Sequence, residues 1–293
     1  MLKPSLNHSL TPSVQLGLAC LTSPDCPTRI TYCKPQRAQA TPERLKRDYA
    51  ANVAMLRSAL IYCRDILRTR LYRMPSGLLP WLDAGLPGAR TAFDSVRDSM
   101  AGIGRDFADM RIASHPDQFV VLSSDRQEVV TRSIATLEAE GEIADALGLP
   151  RSPWSGINIH GGKSDRLDAL RRSLDLLSPA VRSRLTLEND EHCYSVSQLV
   201  TTGVPVVYDA HHAIVSRKCE VDDSRLDGDA ALAMSTWADA PPLAHLSNGI
   251  ENTHDRRHSD LISYVPPSLT EYEWIDVEAK GKEMAIIALR KMV

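Results

Sequence analysis

Residues 110–160 carry the pattern that decides the fold: a β-type run MRIAS (110–114), a helical stretch VVTRSIATLEAEGEIADAL (129–147) and a second β-type run GINIH (156–160). The two outer runs are short and largely apolar, whereas the middle stretch has apolar residues three or four positions apart. A strand, a helix and a strand in this order form the crossover that joins two parallel strands. The segment therefore predicts a parallel sheet covered by helices.

The same alternation extends towards both ends of the chain. Eight β-type runs occur, at 15–21, 70–74, 110–114, 156–160, 184–188, 204–209, 242–246 and 272–277. Helical stretches lie between most of them, for example at 45–67, 129–147, 167–177 and 280–292. Eight such units in about 250 residues are typical of a (β/α)₈ barrel, because an open doubly wound sheet usually has five or six strands.

We therefore predict an α/β protein with a single (β/α)₈ TIM barrel domain over residues 1–293. Residues 1–13 are rich in Pro, Thr, Ser and Asn, and we interpret them as a flexible N-terminal segment. Residues 213–241 show no clear core face, so the barrel pattern is weakest there.

Composition narrows the class of protein. The 293 residues carry a net charge of −3, with 43% hydrophobic and 24% charged residues, which excludes a disordered, collagen-like or coiled-coil chain. Neither a membrane-spanning run nor an N-terminal secretory signal is present, so we expect a cytoplasmic protein without a membrane partner. The six cysteines form no CxxC pair, and we expect reduced, mostly buried thiols. An isoelectric point near 6.3 does not by itself indicate a nucleic-acid binder.

Metal-binding residue types stand at the ends of six consecutive predicted strands, where a barrel builds its active site. They are His115, His160, Glu188, Asp209 with His212, His245 and Glu278, and His258 lies in the loop after the seventh run. Imidazole and carboxylate together suit zinc, manganese or iron. Eight such ligands are too many for one ion, so the set predicts two or three.

The sequence also indicates how individual ligands and the residues next to them could act. Glu188 lies in the middle of the set and could bridge two ions, and Asn189 and Asp190 are expected to orient their neighbours. In Asp209-Ala210-His211-His212 we predict that His212 is the ligand and that His211 stands behind it. The remaining histidines, His8, His192 and His254, are predicted to be surface residues.

Six short motifs occur in order along the chain: SHPDQFVVL (114–122), NIHGG (158–162), LEND with Tyr194 (187–194), PVVYDAHH (205–212), HLSNG (245–249) and VEAK (277–280). Together they resemble the UV damage endonucleases, a family whose barrel is related to that of endonuclease IV. The resemblance spans residues 14–293. It implies a DNA repair endonuclease that hydrolyses the phosphodiester 5′ to a UV photoproduct or another lesion and leaves a 3′-hydroxyl and a 5′-phosphate.

The family pattern also implies a ligand set. His115, His160 and Glu188 would hold one ion; Glu188, Asp209, His245 and Glu278 a second; Asp209 or a nearby group, His212 and His258 a third. Manganese is the metal implied, with Zn²⁺ and Mg²⁺ as alternatives, and the carboxylates of Glu188, Asp209 and Glu278 would be catalytic.

Damaged double-stranded DNA is the partner that the resemblance implies, and we expect a monomer. Gln118 and Phe119 match the pair that enters the duplex at a lesion, although Phe119 could instead be a core aromatic. Lys163, after two glycines, is the candidate phosphate-binding residue. Other basic residues that could face the same rim are Arg73, Arg166, Lys218, Arg256 and Arg257.

Three positions depart from the family pattern. Leu18 stands where the family commonly has a tyrosine, Leu243 where it often has a lysine that is sometimes carboxylated, and WLDAGLPG (81–88) where a histidine often lines the groove. The residues that would cut DNA are therefore present, while those that would read the lesion are altered. This asymmetry leaves three alternatives open: an endonuclease restricted to abasic sites, a metal-dependent sugar isomerase or epimerase on the same barrel, and a noncatalytic DNA-binding protein.

Overall fold

The computed structural model describes residues 10, 11 and 13–292. The interpretation of residues 1–13 as a flexible segment falls mostly outside this range, although Leu10 is described and is only 2% exposed. Within the described residues, no helix is both long enough and apolar enough to cross a membrane.

Eight parallel strands close into a barrel in sequence order, and β1 pairs with β8. They are β1 Gln15–Ala19, β2 Leu71–Met74, β3 Arg111–Ser114, β4 Ile157–Ile159, β5 Leu185–Glu188, β6 Val206–Asp209, β7 Leu243–Leu246 and β8 Trp274–Val277. The predicted TIM barrel is confirmed, and each strand lies within its predicted run. The first run was predicted two residues too long, because Cys20 has a φ of +65° and turns the chain.

Within the described part of the chain, ten α-helices accompany the strands. They are α1 Pro42–Ile61, α2 Ala89–Asp94, α3 Arg97–Asp106, α4 Gln127–Ala146, α5 Leu167–Leu174, α6 Pro179–Arg182, α7 Val196–Leu199, α8 Ala210–Arg217, α9 Ser224–Met234 and α10 Glu283–Leu289. The expectation that 213–241 lacks a core face was wrong, because α9 buries Leu226, Ala230 and Ala233. The three positions have helical spacing, but two of them are alanines and charged residues surround them, so the face was not evident from the sequence.

Because alternate residues of each strand point into the barrel, their side chains fill its interior in layers. At the amino-terminal end of the strands, the Arg111 guanidinium lies 5.1–5.5 Å from the ring centres of Trp154, Trp237 and Trp274. Above it, Leu71, Ala113, Val207 and Leu243 form an apolar cluster.

Side chains two positions apart in a strand face the same side. Two positions after the four members of that cluster come, in turn, Arg73, His115, Asp209 and His245. The polar residues are therefore delivered together to the carboxyl end of the barrel, directly above an apolar layer.

Candidate metal centre

The candidate site is centred on the Glu188 carboxylate, which is fully buried at the end of β5. His115 Nε2 lies 3.1 Å from Glu188 Oε2, and His245 Nδ1 lies 3.2 Å from Glu188 Oε1. The His115 ring also lies 5.1 Å from the His160 ring, centre to centre. Side chains from β7 and from the loops after β3 and β4 thus converge on the Glu188 carboxylate of β5.

Glu278 extends the site on the side of β8. Its Oε1 lies 3.3 Å from His245 Nδ1, and its Oε2 lies 3.8 Å from His258 Nδ1. Arg73, named above as a candidate for the DNA-facing rim, instead forms ion pairs with Glu278 and, at 3.1 Å, with Asp276. The Arg73 side chain is only 14% exposed, so its charge is directed into the site.

His212 approaches the site from α8. Asp209 caps this helix, because its Oδ1 accepts a hydrogen bond of 2.7 Å from the His212 amide. His212 Nε2 then lies 3.7 Å from Glu188 Oε1 and 3.9 Å from Asp209 Oδ2. His211 faces away from the carboxylates: its Nε2 contacts the Asp255 carbonyl at 2.9 Å, and its ring packs edge-on against His258.

Several buried polar atoms converge here without a hydrogen-bond partner among the described residues. They are His160 Nδ1, Glu188 Oε1, Asp209 Oδ2 and His245 Nδ1. Buried polar atoms in folded proteins are almost always paired with protein or water. Their lone pairs lie close together but are not aligned for mutual hydrogen bonds, which fits residues arranged around a cation.

Three groups of side chains have ligand atoms within 4.8 Å of one another, as a shared ion requires: His115 with His160 and Glu188, Glu188 with Asp209 and His245, and His115 with His245 and Glu278. Six of the eight candidate ligands belong to these groups. His212 and His258 do not, although both line the same cavity of about 360 Å³ above the cluster.

The charges in the cluster depend on one another. Burial alone raises the pKa of Glu188, but the imidazoles of His245 and His160 outweigh it and bring the pKa well below its ordinary value. Burial lowers the pKa of His245, yet Glu188 and Glu278 raise it to about 9. A cation entering the cluster would therefore displace protons from imidazole, so metal binding should be coupled to proton release.

Supporting contacts orient the ligands. Asn158 Nδ2 donates to Glu188 Oε2 at 2.5 Å, and Asn189 is joined to the Asp209 main chain by two hydrogen bonds of 2.9 Å. Asp190 Oδ2 lies 3.3 Å from His160 Nδ1. The orienting roles expected of Asn189 and Asp190 agree with these contacts, whereas the contact of Asn158 was not anticipated.

Glu191 is the residue that sequence reasoning missed most clearly. Its Oε2 lies 2.5 Å from His212 Nδ1, and its Oε1 accepts a hydrogen bond of 2.5 Å from Arg256 Nε. Burial alone raises the pKa of Glu191, but His212 and Arg256 lower it below its ordinary range. The only sequence signal was a third acidic residue in LENDE, a loop where acidic residues are common.

The residues predicted to contact DNA lie in two loops next to this cavity, but only Gln118 of the three lines it. Phe119 is 75% exposed, so it is not the core aromatic that its apolar neighbours allowed, and Gln118 lines the cavity above the cluster. Lys163 Nζ forms an ion pair of 3.0 Å with Asp125. Gly162 has a φ of +113°, and a Cβ there would lie 2.8 Å from Ser123 Oγ, so this glycine is required by the local turn.

The departures from the family pattern also have a place in the fold. Leu18 is fully buried in the main hydrophobic cluster, and Leu243, only 3% exposed, belongs to the apolar layer beneath the site. Neither side chain reaches the cavity above the cluster.

The histidines predicted at the surface agree with the structure where it describes them, and half of the cysteines are buried. His192 and His254 are exposed, as expected, and His8 lies outside the described residues. All six cysteines are free; Cys26, Cys63 and Cys219 are buried, whereas Cys20, Cys33 and Cys193 are partly exposed.

Comparisons with solved structures agree with the barrel fold. Solved structures similar to the chain include that of SacUVDE, with a TM-score of 0.80 at 23% identity over 95% of this chain and 99% of that one. Endonuclease IV from Thermus thermophilus aligns with a TM-score of 0.56 at 13% identity over 95% of this chain and 98% of that one. At these identities the two structures support the fold alone.

Sequence comparison is more specific. The chain is 42% identical to a UV DNA damage endonuclease of Deinococcus radiodurans, over 95% of each chain. It is 39% identical to a UV DNA damage endonuclease of a Nostoc species, over 94% of this chain and 89% of the relative. The family model for UV-endonuclease UvdE matches residues 14–293. The chain therefore belongs to the UV-endonuclease UvdE family.

Proposed function

We propose that this protein is a DNA repair endonuclease that hydrolyses the phosphodiester on the 5′ side of a UV photoproduct or another lesion, leaving a 3′-hydroxyl and a 5′-phosphate. Membership of the UvdE family supports the general activity in this proposal, that of a DNA endonuclease that acts on damaged DNA. The observation that carries the chemistry is the convergence of unpartnered imidazole and carboxylate atoms at the carboxyl end of the barrel.

The proposed ligand set divides among up to three divalent ions. His115, His160 and Glu188 would hold the first, a division supported by one of the three close groups. Glu188, Asp209, His245 and Glu278 would hold the second, and Asp209 or a nearby group with His212 and His258 the third. Manganese is the metal we propose, with Zn²⁺ and Mg²⁺ as alternatives.

The side chains of the candidate site would hold and orient these ions. Divalent cations would supply Lewis-acid activation of water and would neutralise charge on the attacked phosphate. Glu188, which has one oxygen facing His115 and the other facing His245, would join the first two sites. Asn158 holds its Oε2, while Arg73 balances the negative charge of Glu278.

Lesion contact would come from the loop between β3 and α4. An exposed aromatic side chain such as Phe119 can replace a base that has left the stack, and damaged DNA costs less to unstack than intact DNA. We propose that Gln118 enters the duplex with Phe119. To contact a phosphate, Lys163 would break its ion pair with Asp125. Such a surface ion pair costs little to break.

The substrate would be damaged double-stranded DNA, bound by one monomer acting as a single domain. Because Leu18 is buried, lesion discrimination would depend on the β3–α4 loop and on shape rather than on a tyrosine at this position. The range of lesions is therefore the property to measure first.

A nicking assay tests the proposal. The manganese-loaded protein is incubated with two end-labelled duplexes, one containing a pyrimidine photoproduct and one an abasic site, alongside an undamaged duplex and chelator-treated samples. We expect metal-dependent nicking immediately 5′ to the photoproduct, with a 3′-hydroxyl that a polymerase can extend.

Other outcomes separate the alternatives. Nicking at the abasic site alone would contradict the photoproduct assignment and support the restricted endonuclease. Nicking of neither damaged duplex, with metal binding intact, would reject the proposed activity. Cutting that persists after metal removal would contradict the proposed ligand set.

A further inference from the structure

A second cavity lies beside the one above the metal-binding cluster and has no part in the chemistry proposed so far. It has a volume of about 400 Å³ and lies between α4 and the loop after β2. Its walls include Leu79, Pro80, Trp81, Phe119 and Ile143. Volume and lining are both within the usual range for small-molecule pockets, which are largely apolar with a few polar groups.

One carboxylate in this cavity is only partly paired. Glu140, in α4, is 3% exposed; its Oε1 accepts a long hydrogen bond of 3.4 Å from the Gly77 amide, and the Ser114 side chain also stabilises the carboxylate. Glu140 Oε2 is buried without a hydrogen-bond partner among the described residues. A buried, unsatisfied carboxylate is costly, so its retention at the wall of an open cavity points to a ligand that donates a hydrogen bond.

The Trp81 indole forms one wall of the cavity and is held in place by a hydrogen bond. Trp81 Nε1 donates a hydrogen bond of 2.8 Å to the Pro35 carbonyl, which fixes the indole at the cavity. Exposed Phe119 contributes a second aromatic surface. Two cations, Lys34 and Arg132, line the cavity together with the carboxylates of Asp83 and Asp117, and these cations form no ion pair within residues 10, 11 and 13–292. Flat aromatic surfaces, one buried acceptor and free cations together suit a nucleotide.

The loop after β3 separates the two cavities. Asp117 and Val120 line both, Gln118 lines the cavity above the metal-binding cluster, and Phe119 lines the cavity with Glu140. If this loop enters the duplex, the strand that is cut lies on the Gln118 side. The partner base of that strand then lies on the Phe119 side.

From this arrangement we infer that the cavity between α4 and the β2 loop binds an unstacked purine of the uncut strand, opposite the lesion, with the Glu140 carboxylate accepting from its amino group. This inference rests on the proposed function. Pyrimidine photoproducts stand opposite purines, and adenine and guanine both carry an amino group that a carboxylate can read, as it does for cytosine in direct readout.

Two variants test the cavity without touching the metal-binding cluster. Ala139→Leu adds a larger side chain to the cavity wall, and Ala51→Leu, at an exposed position of α1, is its control. Glu140→Met removes the acceptor at similar size, and Glu142→Met, a neighbour whose side chain is 41% exposed, is its control. Circular dichroism and thermal melting establish that each variant is folded.

Each protein is titrated with duplexes that carry a thymine dimer and have adenine, unsubstituted purine or an abasic residue opposite each dimer position in turn. Fluorescence anisotropy gives Kd, with calcium replacing manganese to slow cutting. For the wild type, removing the opposite base should raise Kd about tenfold, which corresponds to one stacked and hydrogen-bonded base. Ala139→Leu should bind the adenine duplex about as weakly as the wild type binds the abasic one, and Glu140→Met should not distinguish adenine from purine.

The inference is wrong if wild-type Kd does not depend on the opposite base, or if Ala139→Leu is as sensitive to its removal as the wild type. If wild-type Kd does not depend on the opposite base but Ala139→Leu still binds the dimer duplex more weakly, the cavity belongs to the damaged strand and the choice of strand is overturned. If the wild type nicks the dimer duplex and only the dependence on the opposite base is missing, the proposed function stands without this pocket. If the wild type neither binds nor nicks that duplex, both fall together.

Discussion

Glu188 is the residue on which the candidate site depends most directly. Each of its oxygens faces a different imidazole, and the side chain is fully buried. We predict that Glu188→Gln lowers nicking of a lesion duplex by about 10³-fold or more, because a neutral amide cannot balance two cations. The measurement is a single-turnover nicking rate, with Glu220→Gln at an exposed position as the control. Activity within about tenfold of wild type would contradict the bridging assignment.

Glu140 gives a pH-dependent prediction at the same scale. Burial raises its pKa to about 7 from a reference value of 4.5. The folded protein therefore binds this proton more tightly than the unfolded chain does. The stabilisation from Glu140 is complete below pH 4.5 and is lost as the pH rises through about 7.

We therefore predict that Glu140→Gln gains stability relative to the wild type between pH 5 and pH 8, by about 2 kcal/mol in the free energy of unfolding. Urea unfolding of both proteins at the two pH values measures this difference. Glu142→Gln, which removes a surface carboxylate paired with Arg90, should show the same offset at both pH values. A Glu140→Gln offset that does not change with pH would mean that the buried carboxyl is not the group that titrates.

At the scale of elements, the crossing of α3 and α4 depends on one glycine. A Cβ at Gly104 would overlap the main-chain carbonyl oxygen of Leu147, at the end of α4. Gly102, in the same helix, has only the ends of two arginine side chains nearby, at 3.8 Å and beyond.

We predict that Gly104→Ala destabilises the protein by about 1–3 kcal/mol, because two helices must separate. Gly102→Ala is the matched control and should stabilise it by up to about 1 kcal/mol through helix propensity. Thermal and urea unfolding of both variants test the pair. Equal effects would show that α3 and α4 are not in close contact at Gly104.

Elements also decide which residues reach the site. The end of β6 is the start of α8, so Asp209 is both a candidate ligand and the cap of the helix that carries His212. This short connection brings the two side chains to one place, and a sequence pattern of Asp followed three residues later by His indicates it. Glu191 and Arg256 come from different loops, 65 positions apart, and no local pattern pairs them.

For the whole molecule, the cluster of buried carboxylates and imidazoles links metal binding to stability. Its carboxylates and imidazoles are positioned by six strands and their loops, so cations that bind the folded state alone should stabilise the entire barrel. At a free ion concentration a hundred times Kd, the gain is about 2.7 kcal/mol for one site.

We accordingly predict that Mn²⁺ raises the Tm by several degrees and that a chelator reverses the shift. Differential scanning calorimetry with and without the ion measures it. Glu188→Gln should show a much smaller shift, while Glu220→Gln should respond as the wild type does. A Tm that is independent of Mn²⁺ would argue against a metal centre in this barrel.

The sequence by itself determined the eight strands, their parallel order and the set of residues at their ends. This was possible because alternation and helical periodicity are local, and because parallel strands must present their carboxyl ends at one rim. The resemblance to the family rests on the same short motifs, taken in their order along the chain.

Only the tertiary structure decided which of these residues contact one another. It turned Arg73 from a candidate for the DNA-facing rim into an ion-pair partner of Glu278, placed Glu191 behind His212, and left one oxygen of Glu140 unpartnered beside a cavity. These outcomes depend on distances between residues far apart in the chain. Burial, unlike periodicity, is created only when the barrel closes and the loops pack over it.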